Sequence, residues 1–187
     1  MLTLIGKTAV GKDSVLQYLT RYGMSTIVSY TTRPPRVGEE DGVTYHFVSK
    51  EKFLKLKKDG FFAETTSYNV ATGETWYYGS AIEDLKDDSV IILNPEGLKQ
   101  IKKVEGLNPV SFLITASEDT IRRRLEVRGD KPEEAERRLK ADREDFKDIL
   151  NYVDFAFSND LGVNVGELAF LICNTYETVN RALKGGN

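Results

Sequence analysis

The sequence predicts an α/β fold, three layers with a parallel sheet in the middle, and two features carry that prediction. Apolar runs of strand length, 1–5, 90–93 and 110–114, alternate with segments of helical periodicity. Strands and helices in alternation build a parallel sheet with right-handed crossovers. The run Gly6-Lys7-Thr8-Ala9-Val10-Gly11-Lys12 lies where the first strand passes into the first helix, which is the setting a phosphate-binding loop requires. Its glycines let backbone N–H groups converge on phosphate oxygens, and the helix N-terminus adds the positive end of a dipole. Lys12 adds a flexible point charge. The bland alternative is an ordinary glycine-rich turn; the flanking strand and helix weigh against it.

Val15, Leu16 and Leu19 recur at helical spacing, and Gly23 supplies a stop. Residues 25–29 read as a second strand. A polar segment with two prolines and two glycines follows over 30–42 and buries little, so its length points to function. Residues 44–48 alternate like a short strand, and Ser49 can cap a helix over 50–59 that Gly60 ends. Strands are expected over 61–68 and 75–79, joined by a turn at Thr72-Gly73. Ser80-Ala-Ile-Glu83 has capping-box spacing and predicts another helix. The apolar run 90–93 suits a strand buried on both faces, and Pro95 suits the first turn of the helix after it. A strand at 110–114 precedes a helix over 118–128 capped by Ser117. Gly129 to Pro132 breaks it, a charged helix follows over about 133–152, and 155–157 is the last strand. The final helix is expected to turn Leu168, Leu171, Ile172, Val179 and Leu183 to one face.

The 187 residues suffice for one domain with a sizeable core, and 40% hydrophobic with 29% charged residues is an ordinary globular balance. A net charge of −3 argues against broad binding to nucleic acid or acidic membranes, so any basic site is local. The N-terminal run reads as a strand, because Lys7 and Lys12 interrupt it before a leader-length apolar region develops. No segment approaches membrane-span length, and a cytoplasmic protein is expected. The single cysteine, Cys173, cannot form an internal disulfide and is expected to be a small core residue.

Arg33 and Arg36 flank Pro34-Pro35, which stiffens their spacing. Two guanidinium forks so placed suit a phosphate monoester, with hydroxyl donors from Tyr45 and Tyr78; solvated loop charge is the equal alternative. Arg124 and Arg128 stand four residues apart on one helix face, with Arg137 and Arg138 early in the next helix. This cluster could be a nucleic-acid patch, a solvated face, or a set that neutralises a phosphoryl group in transfer. The phosphate loop makes the third use the most economical.

At this point the chain resembles the guanylate kinases almost end to end. The resemblance rests on Ser29-Tyr-Thr-Thr-Arg-Pro-Pro-Arg36, Gly38-Glu39, Gly42, Tyr45-His-Phe-Val-Ser49, Glu64, Tyr77-Tyr-Gly-Ser80, Arg124-Leu-Glu-Val-Arg-Gly129, Arg138-Leu139 and Asn159-Asp160. It implies a P-loop NTPase-like core over 1–29, 81–116 and 151–187, a small β-rich GMP-binding insertion over 30–80 and a helical lid over 117–150. It implies transfer of the γ-phosphoryl of ATP to GMP or dGMP, with Mg²⁺ accompanying ATP. Arg33, Arg36, Tyr45 and Tyr78 would hold the GMP phosphate, while Ser29, Glu64 and Ser80 would read guanine. Lys12, Arg124, Arg128 and Arg138 would stabilise the transferring group. The loop from Gly6 through Asp13 and Ser14, with Asn159, would hold ATP. Partners are then small molecules, with no nucleic acid or membrane, and a monomer or small homo-oligomer is expected.

Three departures from the family pattern stand out. Asp13 replaces the Ser or Thr that usually follows the loop lysine; it is the expected Mg²⁺ ligand here, the alternative being a helix cap with Ser14 or water serving the metal. Asn94, counted with the GMP site, stands where the family usually has an aspartate, and Ile92 replaces another acid. Residues 69–75 look like a short insertion. Two alternatives remain at this stage: a nucleoside monophosphate kinase with another acceptor base, and an inactive binding scaffold.

Overall fold

The computed structural model describes residues 1–69 and 73–185. A parallel sheet of five strands has the order β2-β7-β1-β8-β9, with β1 (Leu2–Ile5) at its centre, β7 (Ser89–Leu93) and β8 (Val110–Thr115) on either side, and β2 (Ser25–Thr26) and β9 (Phe155–Ser158) at the edges. The three central strands are apolar because both their faces are covered. Leu2, Leu4, Val90, Phe112 and Ile114 pack with α1 (Lys12–Arg21), α4 (Glu118–Arg128) and α6 (Val165–Gly185). Met1, Ile5, Ile91, Leu93 and Leu113 turn the other way, onto Leu98 and Ile101 of α3 (Pro95–Ile101). The three expected layers are therefore present. Each such side chain removed from water contributes about 1.5–3 kcal/mol before entropy is counted.

A second, mixed sheet lies between β2 and β7 in the chain, with the order β4-β3-β6-β5: β3 (Tyr30–Thr31), β4 (His46–Phe47), β5 (Phe62–Asn69) and β6 (Thr75–Ala81). Its own core is aromatic. Phe53 of α2 (Lys50–Lys58) is fully buried and stacks on Phe62, with ring centroids 4.5 Å apart. Gly79 makes room for it, because a Cβ there would sit 2.9 Å from Glu64 O and 3.1 Å from the Phe53 ring. The β5–β6 register shifts between Phe62 and Glu64 and brings Glu64 opposite Ser80.

Five expectations need correction. Residues 25–29 are not one strand: Ser25–Thr26 belongs to the first sheet, Ile27 N–H still donates to Val90 O, and the chain then crosses to the second sheet, where Tyr30 begins β3. The strand expected over 44–48 is only His46–Phe47. Ser80 opens no helix; it belongs to β6, its hydroxyl is committed to Glu64, and only a 3₁₀ turn, Ile82–Asp84, follows. The charged helix, α5 (Pro132–Asp145), stops early because Phe146 and Ile149 turn inward onto Ile5, Leu98 and Leu113. On α6 the buried stripe is Leu168, Ala169, Ile172, Cys173 and Tyr176, with Val179 half-buried, while Leu171 and Leu183 face solvent. Cys173 is a core residue as expected, and burial raises its thiol pKa. Thr72 of the expected turn lies outside the described residues, as does the middle of the 69–75 segment.

Other punctuation is where the sequence put it. Ser49 and Ser117 cap α2 and α4 through Lys52 N–H and Thr120 N–H. Asn94 caps α3 through Gly97 N–H, with Pro95 at its first turn. Gly129 ends α4 with φ +82, in open space.

Candidate active site

The carboxyl end of β1 delivers the loop Gly6–Lys12. A Cβ on Gly6 would meet Ile114 O at 2.5 Å, so the first glycine lets β1 and β8 run side by side into the loop. Gly11, at φ +96, occupies left-handed backbone, and a Cβ there would lie 2.4 Å from Asn159 Nδ2. Lys12 folds back over the loop, its ammonium donating to Gly6 O at 2.7 Å and Lys7 O at 2.8 Å. Burial lowers its pKa, opposed by the charges of Asp13 and Asp142. Thr8 N–H donates to Asp142 Oδ2 of α5 at 2.7 Å. A carboxylate thus sits on a loop amide of the kind that binds phosphate. Burial raises the Asp142 pKa.

Arg124 braces the loop from the main-chain side, donating to Ala9 O, Val10 O and Asn159 O at 3.3, 3.1 and 2.8 Å. Asn159 is buried and donates to Val10 O at 2.8 Å, while its Oδ1 has no protein partner among the described residues. Asp160 next to it accepts from Ser117 N–H and from the hydroxyls of Ser117, Thr120 and Ser158. Those four donors hold its carboxyl far below the usual range. The loop, the start of α4 and the 158–160 segment are one hydrogen-bonded unit.

Opposite the loop, Ser29, Ser80 and Glu64 form a chain: Ser29 Oγ lies 3.0 Å from Ser80 Oγ, and the Ser80 hydroxyl donates to Glu64 Oε1 at 2.8 Å. Glu64 is buried, which pushes its carboxyl up to about 7. Arg33 is also buried. Glu39 clamps its guanidinium through both carboxylate oxygens at 2.8 and 2.9 Å and accepts Arg36 N–H at 2.7 Å. The guanidinium stacks over Tyr45, 5.4 Å from the ring centre. The Arg33 hydrogen bonds are the main cause holding the Glu39 carboxyl at about 2.

A cleft of about 470 Å³ joins these parts. Gly6, Thr8 and Lys12 line one side, Ser29, Tyr45, Glu64, Tyr78 and Asn94 the other, and Arg138 and Asp142 of α5 close over it. Arg36, Arg128 and Arg138 meet at a neighbouring cleft with Asp130 and Glu134. Arg128 pairs with Asp130 at 2.6 Å, and Arg138 with Glu134 at 2.8 Å. Asp13 and Ser14 are exposed on the first turn of α1.

Four participants carried no assignment from the sequence: Glu39, Thr66, Tyr68 and Asp142. Glu39 had a signal, an acid among the arginines of a polar loop. Thr66 and Tyr68 line the cleft from an alternating strand that offers no motif. Asp142 is one acid among many on a charged helix, and only the fold brings it to the loop.

The family model described as "Guanylate kinase" matches residues 1–169. The guanylate kinase of Alkalilimnicola ehrlichii is 34% identical over 158 residues, 82% of this chain and 77% of that protein. That of Clostridioides difficile is 30% identical over 185 residues, 97% of this chain and 90% of that one. Among solved structures, a guanylate kinase from Anaplasma phagocytophilum aligns with a TM-score of 0.69 at 23% identity, covering 96% of this chain and 85% of that one, which shows a shared fold.

Proposed function

This chain belongs to the guanylate kinase family, and from that premise we propose how its residues divide the transfer of the γ-phosphoryl group of ATP to GMP or dGMP. The observation that carries the reading is one cleft holding Lys12 and Thr8 of the phosphate loop across from Glu64, Ser29, Tyr45 and Tyr78. An ionised Glu64 accepts from both N1–H and the 2-amine of guanine. Adenine offers an acceptor at N1 and leaves the carboxylate unpaired, which is a costly mismatch in a buried site. Ser29 and Ser80 orient that carboxylate. Arg33, fixed by Glu39, and the exposed Arg36 receive the acceptor phosphate with the two tyrosines.

The loop Gly6–Lys12 with Ser14 and Asn159 takes ATP. Phosphoryl transfer needs positioning and charge neutralisation more than covalent chemistry. Lys12, Arg128 and Arg138 supply positive charge around the transferring group, and Arg124 holds the loop's shape from its carbonyls. Mg²⁺ normally binds through one or two carboxylates together with substrate phosphates, and exposed Asp13 beside the loop fits that donor set. The metal would screen the ATP phosphates from one another. Helices α4 and α5 act as the lid that keeps water from the phosphoryl group. Among the described residues no helix is long and apolar enough to cross a membrane. We place the reaction in the cytoplasm, with small-molecule substrates and a monomer or small homo-oligomer.

Release of ADP measured over a panel of NMPs and dNMPs tests the reading. Turnover of GMP or dGMP is expected; turnover of none favours a scaffold, and turnover of a non-guanine acceptor without GMP or dGMP favours a different kinase. Arg36→Ala is expected to raise the KM for GMP roughly tenfold or more, the loss of a charge-assisted contact, with the KM for ATP unchanged. Asp142→Asn is expected to lower the KM for ATP by roughly three- to tenfold, because ATP no longer displaces a charged group from the loop amide. Initial-rate kinetics read both, and a raised KM for ATP in the Asp142 variant would show that the carboxylate assists binding.

A further inference from the structure

The two oxygens of Glu64 stand in different company. Oε1 accepts the Ser80 hydroxyl at 2.8 Å, on the side of Ser29. Oε2 lies on the side of α3: a Cβ built on Gly97 would be 3.1 Å from Glu64 Oε2 and 3.2 Å from Asn94 Oδ1. A 6-oxopurine docked with N1–H on this carboxylate therefore has a defined direction. Its C6 carbonyl belongs at the hydroxyl end, where donors stand, and its C2 substituent belongs at the Oε2 end, toward Asn94.

The 2-amine of guanine carries two hydrogens. One meets Glu64 Oε2, and the other faces the Asn94 side. Asn94 has little to offer it. Its Oδ1 accepts Gly97 N–H at 2.7 Å as the cap of α3, which fixes the amide's orientation. Its Nδ2 then donates to the Tyr68 hydroxyl at 2.6 Å. The Tyr68 oxygen accepts that bond with the Thr66 side chain beside it, and Asn94 keeps a second N–H. Tyr68 and Asn94 both line the cleft. The wall beside Glu64 Oε2 thus presents the Asn94 N–H groups, which do not satisfy an amine hydrogen, and neutral oxygens that each hold a hydrogen bond already, weaker acceptors than a carboxylate.

We propose that this enzyme selects the 6-oxo, N1–H edge of a purine and depends only weakly on the 2-amine, so that IMP is an acceptor alongside GMP. Asn94 and Tyr68 set that breadth. The inference rests on the reading of the cleft as the acceptor-base site. Glu64 and the serine pair still exclude adenine, since they read only the N1 and C6 positions. Hypoxanthine, with hydrogen at C2, gives up one hydrogen bond to Glu64 Oε2 and at most a weak contact with the neutral Asn94 amide.

The test is kcat/KM for GMP and for IMP in the wild type and in Asn94→Asp. An aspartate caps a helix as well as an asparagine does, so the fold should survive. Its second oxygen would be a charged acceptor for the amine. The wild type is expected to prefer GMP over IMP by no more than roughly a hundredfold, the worth of one hydrogen bond to a charged group. In Asn94→Asp the GMP-to-IMP ratio should rise at least tenfold, by a contact of the same kind. Thermal unfolding of Asn94→Asp should match that of the wild type, which separates a change of selectivity from a change of fold. GMP turnover with IMP refused by more than about a hundredfold, toward the 10⁴-fold of a site built around the amine, would overturn this inference and leave the guanylate kinase reading standing. An unchanged ratio in Asn94→Asp would also overturn it. Turnover of neither nucleotide would remove the reading of the cleft, and this inference with it.

Discussion

Glu64→Gln should lose roughly 10²–10³-fold in kcat/KM for GMP, and the free protein should become more stable as it does so. Both effects come from one buried carboxyl whose pKa is raised to about 7. In the unfolded chain the group titrates near its ordinary value of about 4.3. Between those values the folded protein binds the proton more tightly, so stability falls as pH rises through the window from about 4.5 to 7. Above it the ionised, desolvated carboxylate carries a cost on the order of 3 kcal/mol. Glutamine keeps the shape and an acceptor for Ser80 without the charge. Thermal unfolding at pH 8 should show the variant melting above the wild type, and the gap should close below pH 5. For the wild type, kcat/KM for GMP should fall about tenfold per unit as pH drops below about 7, where the free enzyme holds Glu64 neutral. A variant that turns GMP over as fast as the wild type would remove Glu64 from base recognition.

Lys12→Ala should cost roughly a thousandfold in kcat, the scale of removing one preorganised charge from a phosphoryl-transfer site. It should also loosen the loop itself. The Lys12 ammonium bonds Gly6 O and Lys7 O, and two carbonyls left without it cost about 1–3 kcal/mol if water cannot reach them. Steady-state ADP release reads the first effect and thermal unfolding the second. A loss of less than tenfold would mean that the loop is not where the phosphates sit.

The sheet and the phosphate loop were legible because their signals are local. The runs 90–93 and 110–114 are apolar at every or nearly every position, and only strands covered on both faces need that. The caps at Ser49 and Ser117 are read from a hydroxyl placed before a helical pattern. Legibility failed where a residue answers to distant partners. Ser80 carries the spacing of a helix start, yet its hydroxyl is taken by Glu64 across the sheet. The charged periodicity after Pro132 runs on, but Phe146 and Ile149 find a better partner in the core than in another helical turn. The candidate site divides in the same way. Its arginines, Tyr45, Glu64 and Tyr78 could be assigned by resemblance, while Tyr68 and Asp142 acquire meaning only when the second sheet and α5 are brought to the loop. Asn94 could be picked out from sequence, but the direction of its amide follows from the cap it makes.

Asp160 and Arg124 have a mechanical consequence. With Asp160 tied to Ser117 and Thr120, Arg124 tied to the loop carbonyls, and Ile121 and Leu125 sunk in the core, α4 is bolted to the nucleotide loop. Beyond Gly129, whose left-handed backbone has open space around it, α5 is held by Leu139 in the same core, by the pairs Arg122–Glu136 and Arg143–Glu118 across to α4, and by Phe146 past its end. Helix α5 is thus held along its length rather than at its ends alone, and it carries Arg138 and Asp142 one turn apart. Whatever brings one toward the phosphates must carry the other with it.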